Sequence, residues 1–412
     1  MTINVGTGTG ATMRRRIGVV LAAAGAMAVV QAGLAPVAHA AGVQEKQWYL
    51  DAMQIPKIWK VSTGKGIKVA VVDTGVDAST TSLRGQVLPG KTLVDAPGDE
   101  NKDDNGHGTT AAEMIAGTGK GGTLKGVAPD AKILPFRAGV EGIKDMKRGT
   151  LGGREEAVRA AADSEANIIY IAFNAAPGAQ MEDALKYASS KGKLLIAGAG
   201  DDGNNGNSMS KIYPASHPNV ATVASTGKTD SVSKFSSYGD SISLAAPGEQ
   251  LPAWCDAKRA RYCADASGTG YSAAITSGAA ALVWAKHPDW TANQVLRVLL
   301  ETAGRSEGKK NTVSKYIGYG AVRPRMNLLE GEGDPGARDT HPLTGKKVRI
   351  SAPDFEDRKP SQANETDTPR KAKMADSASN DGKSLVLPLV GVGAGVVILV
   401  GCGFAVVRLR RN

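Results

Sequence analysis

The sequence predicts an α/β fold, a domain on a mostly parallel sheet with helices on both faces, followed by a C-terminal transmembrane helix. Three observations carry this. Short aliphatic runs (Ile67-Lys68-Val69-Ala70-Val71-Val72, then residues 168–173 and 194–197) read as strands buried on both faces. Helix-period stretches at 154–165 and 180–190 fall between such runs, the alternation expected of strand–helix–strand units. Finally, residues 385–407 form 23 positions without a charge.

From the N-terminus, Arg14, Arg15 and Arg16 precede an apolar stretch at 17–32, and Ala38-His39-Ala40 supplies a small-x-small cleavage pattern. Residues 1–40 therefore read as a secretory signal, with an uncleaved anchor as the alternative. Residues 41–330 form one folded domain without internal repeats. Near its end, Thr291 and Gln294 make a capping box that opens a helix over 292–303. Residues 331–383 contain five prolines, ten acids and ten bases but few large apolar side chains, which predicts a flexible charged linker. Residues 384–408 are the transmembrane helix. At ~1.5 Å per residue the apolar run covers ~34 Å, enough for a hydrocarbon core of ~30 Å. Arg408, Arg410 and Arg411 follow, which puts the tail 409–412 in the cytoplasm and the large domain outside the cell membrane.

Charge supports this layout more than it suggests a partner. The chain has 50 Lys+Arg against 40 Asp+Glu, a net +10. Subtracting the three arginines at each end, where no acid occurs, leaves +4 over residues 41–383. No nucleic-acid partner is expected from that balance. Of the three cysteines, Cys402 lies in the span, and Cys255 and Cys263 share a short extracytoplasmic segment. An oxidising compartment makes a disulfide the default for them; free thiols or a two-cysteine metal site are the other readings.

In an open α/β sheet, functional residues gather where strands end and helices begin. Asp73 ends the first strand in Val72-Asp73-Thr74-Gly75, and His107 stands in Asn105-Gly106-His107-Gly108-Thr109 before a helical run at 111–116. An aspartate that orients a histidine, which in turn activates a hydroxyl, is triad logic. Singly, each residue could be only a turn or a helix cap.

Together these blocks resemble the subtilisin-like serine proteases, the S8 family, in the order Asp, His, serine region. The third block is Ser267-Gly268-Thr269-Gly270-Tyr271-Ser272-Ala273-Ala274. Within the family the chain looks most like the mycosins, the membrane-anchored proteases of type VII secretion systems. The features that match are Gln47-Trp48-Tyr49-Leu50, Trp254-Cys255, Tyr262-Cys263, Trp284-Ala285-Lys286-His287-Pro288 and the tail anchor. The resemblance implies a three-layer subtilisin-like domain and a serine endopeptidase ancestry; no cofactor and no metal are expected.

The chain departs from the family pattern at the residues that carry the chemistry. Where the family has Gly-Thr-Ser, the nucleophile position holds Gly270, which has no side chain to attack a carbonyl. The oxyanion asparagine falls at Asp201, and the substrate-lining Ser-x-Gly pattern becomes Ala172-Phe173-Asn174. Ser272 lies about 200° around the helix from Gly270 and should point away from His107. Ser267 sits upstream in a loop. Asp73, His107 and Asp201 could converge as donors for a divalent ion, although nothing in their spacing demands it.

The expectation is a catalytically inactive, membrane-anchored mycosin-like protein with a structural or peptide-binding role. Its expected partners are type VII secretion membrane components and extended peptides. An active serine endopeptidase and a surface adhesion module are the competing implications.

Overall fold

The computed structural model describes residues 42–139, 153–205, 212–305 and 312–348. The expected signal (1–40), the linker beyond residue 348, the span (384–408) and the tail lie outside the described residues. Among those described, no helix is long and apolar enough to cross a membrane.

Seven parallel strands form the central sheet in the order β2-β3-β1-β4-β5-β6-β7. They are β1 (Lys68–Asp73), the two-residue edge β2 (Lys91–Thr92), β3 (Lys132–Arg137), β4 (Ile168–Ile171), β5 (Leu194–Gly198), β6 (Val220–Thr226) and β7 (Ile242–Pro247). Side chains alternate across the pleat and build two cores. Val69, Val71, Ile133, Tyr170 and Ile196 face one side, where they meet helices α3 (His107–Ala116), α6 (Thr269–Lys286) and α7 (Ala292–Glu301). Ala70, Val72, Phe136, Ile169 and Leu195 face the other, against α4 (Arg154–Asp163) and α5 (Ala179–Ser190). Short helices α1 (Trp48–Ala52), α2 (Ile55–Ile58) and α8 (Pro324–Leu328) complete the set. The predicted three-layer α/β architecture is the one observed.

Helix α6 is buried along most of its length because its small residues let it lie against β4, β5, β6 and β7. Its N-terminus comes close to the end of β5: a Cβ on Gly198 would sit 2.7 Å from the Thr269 carbonyl carbon. The capping box of α7 forms as expected, with the Gln294 N–H donating to Thr291 Oγ1 and the Thr291 N–H donating to Gln294 Oε1.

Outside the sheet, β8 (Leu251–Trp254) and β9 (Tyr262–Ala266) pair antiparallel. The Cys255–Cys263 disulfide closes this hairpin, and the Trp254 and Tyr262 rings stack at 3.8 Å beside it. Near the start of the described residues, the Gln44 side chain donates to the Gly119 and Thr123 carbonyls, and Gln47 exchanges two bonds with the Lys125 backbone. Residues 42–47 thus dock beyond the C-terminal end of α3, the end opposite His107.

The flexible linker expected from Gly331 does not describe residues 331–348. Residues 331–348 follow the domain surface as a strap held through its carbonyls. Arg297 donates to Pro335, Ala337 and Thr340, and Thr291, Asn293 and Gln294 donate to Arg338 and Gly336. His341 is buried beneath it. Arg297→Ala removes three of these bonds, so limited trypsin digestion should cut at Arg338 and Lys346 several times faster than in the wild type. Unchanged protection would contradict the role given to Arg297.

Candidate active site

Three strand and helix ends converge. Asp73 closes β1, His107 opens α3 and Gly270 is the second residue of α6. The α3 end is built before His107 is reached. The buried Asp103 accepts N–H bonds from Gly106 and Thr109 and hydroxyl bonds from Thr74 and Thr109. Asn105 accepts the His107 N–H. A Cβ on Gly108 would meet the Gly75 carbonyl oxygen at 2.1 Å, so only glycine lets α3 approach β1 this closely.

This frame places His107 Nδ1 at 2.9 and 2.8 Å from the two Asp73 oxygens. Asp73 is 4% exposed, and its Oδ1 also accepts the Thr74 N–H at 2.7 Å. The carboxylate therefore fixes the ring's orientation and its Nδ1–H tautomer. On the other side of the ring, a Cβ built on Gly270 lies 3.3 Å from His107 Nε2 and 3.4 Å from Cε1. A serine hydroxyl there would fall within hydrogen-bond reach of the base.

The other serines of the block face elsewhere. Ser272 Oγ is buried without a partner among the described residues, on the side of α6 where a Cβ on Gly248 would touch it at 2.0 Å. Ser267 Oγ accepts the Gln250 N–H at 3.3 Å. Asp201 has taken a different task from an amide donor: its Oδ1 accepts the Thr269 N–H at 2.8 Å, at the N-terminus of α6. A carboxylate is favoured at that positive helix end.

Ala172 and Phe173 line a cavity of about 50 Å³ shared with Asp73, Thr74 and His107, while the Asn174 carbonyl accepts a bond from Arg154. Asp73, His107 and Asp201 do not form a metal-binding group, and no cluster of three or more His, Cys, Asp or Glu side chains does so among the described residues.

Two tyrosines in the site were not singled out from the sequence. Tyr170 on β4 is fully buried, and its hydroxyl, beside Asp73, would lie 3.5 Å from a Gly270 Cβ. Burial first, and the Asp73 charge second, hold it firmly in the neutral form. Tyr271 stacks on the His107 ring at 5.1 Å, and burial likewise keeps its phenol protonated. The available signal for Tyr170 was an aromatic hydroxyl inside an otherwise aliphatic strand.

Further along α3, Glu113 is wholly buried and accepts bonds from Thr80 Oγ1 and Tyr262 OH, both at 2.9 Å. It ties the disulfide hairpin to the helix that carries His107. Burial raises its pKa to about 7, with the Thr80 and Tyr262 bonds opposing the shift. The folded chain thus binds this proton more tightly than the unfolded chain does. The stabilisation is complete below the ordinary carboxylate pKa and is lost as the pH rises towards 7, by at most about 3 kcal/mol. Glu113→Gln should therefore melt above the wild type at about pH 8, and the gap should close at about pH 4.5. A gap independent of pH would refute the buried-charge explanation.

The subtilase family pattern, peptidase S8, matches residues 64–320. Thermitase from Thermoactinomyces vulgaris is 34% identical over 208 residues, 50% of this chain and 71% of that protein. The major intracellular serine protease of Bacillus subtilis (strain 168) is 32% identical over 241 residues, 57% of this chain and 73% of that one. Among solved structures, MycP1 from Mycobacterium smegmatis superposes with a TM-score of 0.60 at 28% identity, covering 71% of this chain and 86% of that one. The MycP3 protease from the type VII (ESX-3) secretion system gives 0.57 at 29% identity, covering 68% and 88%. The expected resemblance thus holds in sequence and in backbone alike, and the chain belongs to the subtilase family, peptidase S8.

Proposed function

We propose that this chain is a membrane-anchored, mycosin-like pseudoprotease that serves a type VII secretion system as a structural or peptide-binding part. One observation carries the inactive half of this reading: the position 3.3 Å from His107 Nε2 belongs to a glycine. The Asp73–His107 pair has a base in place, and position 270 offers it no hydroxyl to activate. Acyl transfer needs that nucleophile, whereas holding an extended peptide by main-chain bonds does not. The engagement of Asp201 by the α6 N-terminus points the same way, because an ionised carboxylate repels a developing oxyanion.

Likeness to MycP1, which is described as an essential component of the type VII (ESX-1) secretion system, supports the secretion role. The apolar segments 17–32 and 385–407 support export and anchoring at the cell membrane. The test is affinity purification of the full chain from solubilised membranes of cells that express it. Recovery of type VII membrane components is expected. Their absence, with the chain itself well recovered, would overturn the assignment.

A further inference from the structure

We infer that Arg154 makes the groove beside His107 selective for an extended peptide bearing an acidic side chain. This rests on the peptide-binding part of the function proposed above and names the chemistry of the ligand.

Arg154 is the first residue of α4 and forms one wall of the cavity of about 50 Å³ that it shares with Thr74, His107, Ala172 and Phe173. Its side chain is fixed by two neutral contacts. Nη1 donates to the Asn174 carbonyl at 2.9 Å, and the guanidinium carbon sits 5.1 Å from the Phe173 ring centroid. Nε is buried without a hydrogen-bond partner among the described residues. Glu155 and Glu156 follow on α4, yet Arg154 makes no ion pair among the described residues. Among the described residues, the carboxylate in the cavity wall is Asp73, whose oxygens are committed to His107 and to the Thr74 N–H.

A guanidinium held in place, partly shielded and without an ion-pair partner among the described residues is poised to pair with an incoming carboxylate. The volume suits that group. It equals the room of about three or four waters, enough for a carboxylate on a short stem. Since the cavity adjoins the imidazole, the acid would project from a peptide lying along the groove, not from one bound elsewhere on the surface.

The experiment is fluorescence anisotropy of the full chain in detergent with end-blocked Ala/Ser octapeptides, each labelled with fluorescein. Glutamate is placed at each position in turn and matched by a glutamine series. At one position, Glu should bind about tenfold more tightly than Gln at low salt, and the gap should shrink as salt is added. Arg154→Gln should abolish the gap, Arg154→Lys should keep part of it, and both variants should melt like the wild type. Equal affinity of the Glu and Gln peptides at every position would overturn the role of Arg154 while leaving peptide binding intact. A gap that survives in Arg154→Gln would overturn it as well. Failure of every peptide to bind would remove this inference together with the peptide-binding reading.

Discussion

Gly270→Ser combined with Asp201→Asn is expected to turn this chain into a serine peptidase with turnover at least ~10³-fold above the wild type. The geometry that supports this is already assembled. A Cβ at position 270 meets His107 Nε2 at 3.3 Å, close enough that the half-exposed imidazole must give by only a few tenths of an ångström. Nδ1 is held by Asp73 on the far side of the ring, so the base starts in the right tautomer. Asparagine at 201 can keep the bond that Asp201 accepts from the Thr269 N–H, and it adds an amide that can donate. The single change Gly270→Ser should lag behind the double change by ~10²–10³ in turnover, the usual effect of one oxyanion donor. A chromogenic peptide assay checks both. If the double variant is as inert as the wild type, then Asp73 and His107 are not held in catalytic register, and the site has lost more than its nucleophile.

Arg137→Ala should produce the largest loss of stability of any single change considered, about 3–5 kcal/mol. Arg137 closes β3 beside Asp73 and is completely buried. Its Nη2 pairs with Asp104 at 2.6 Å, and its Nη1 donates to the Pro97 and Gly98 carbonyls at 3.0 and 3.2 Å. Removing it leaves Asp104 with only the more exposed Lys102, at 3.4 Å, as a cation, two carbonyls without the Arg137 donor, and a cavity at the sheet's end. The damage should reach the site, because Asp104 adjoins Asp103, which caps the α3 turn that presents His107. Urea unfolding should show a lower midpoint at unchanged slope. A loss below about 1 kcal/mol would mean that the pair adds nothing beyond its desolvation cost.

The strands read correctly from the sequence are those whose apolar runs are continuous, β1, β4 and β5, since a strand between two helical layers shows no polar face. Pro135 hides β3: a proline lacks the N–H a central strand needs, and it is tolerated here because β2 on that side pairs through only two residues. The strap at 331–348 is hidden for a different reason. Composition records side chains, whereas this segment is held by its own carbonyls, which accept from Arg297, Thr291, Asn293 and Gln294. Its lack of large apolar residues therefore says little about its order.

At the site, Asp73, His107 and Gly270 were legible because each stands in a short motif in the family order. Asp201 was legible as a position, but its bond to the α6 N-terminus was not, since that depends on where β5 meets α6. Tyr170, Tyr271 and Arg154 carry no motif. They matter only because the fold brings a strand face, a helix's first turn and another helix's first residue to one cavity.

The most direct test of the central claim is labelling of the full-length wild-type chain with a fluorophosphonate probe, with Gly270→Ser run beside it. The missing hydroxyl predicts no covalent adduct on the wild type and a phosphonylated hydroxyl at position 270 in the variant. A stoichiometric adduct on any serine of the wild-type chain, Ser267 and Ser272 included, would show that an activated nucleophile exists, and the pseudoprotease account would fall.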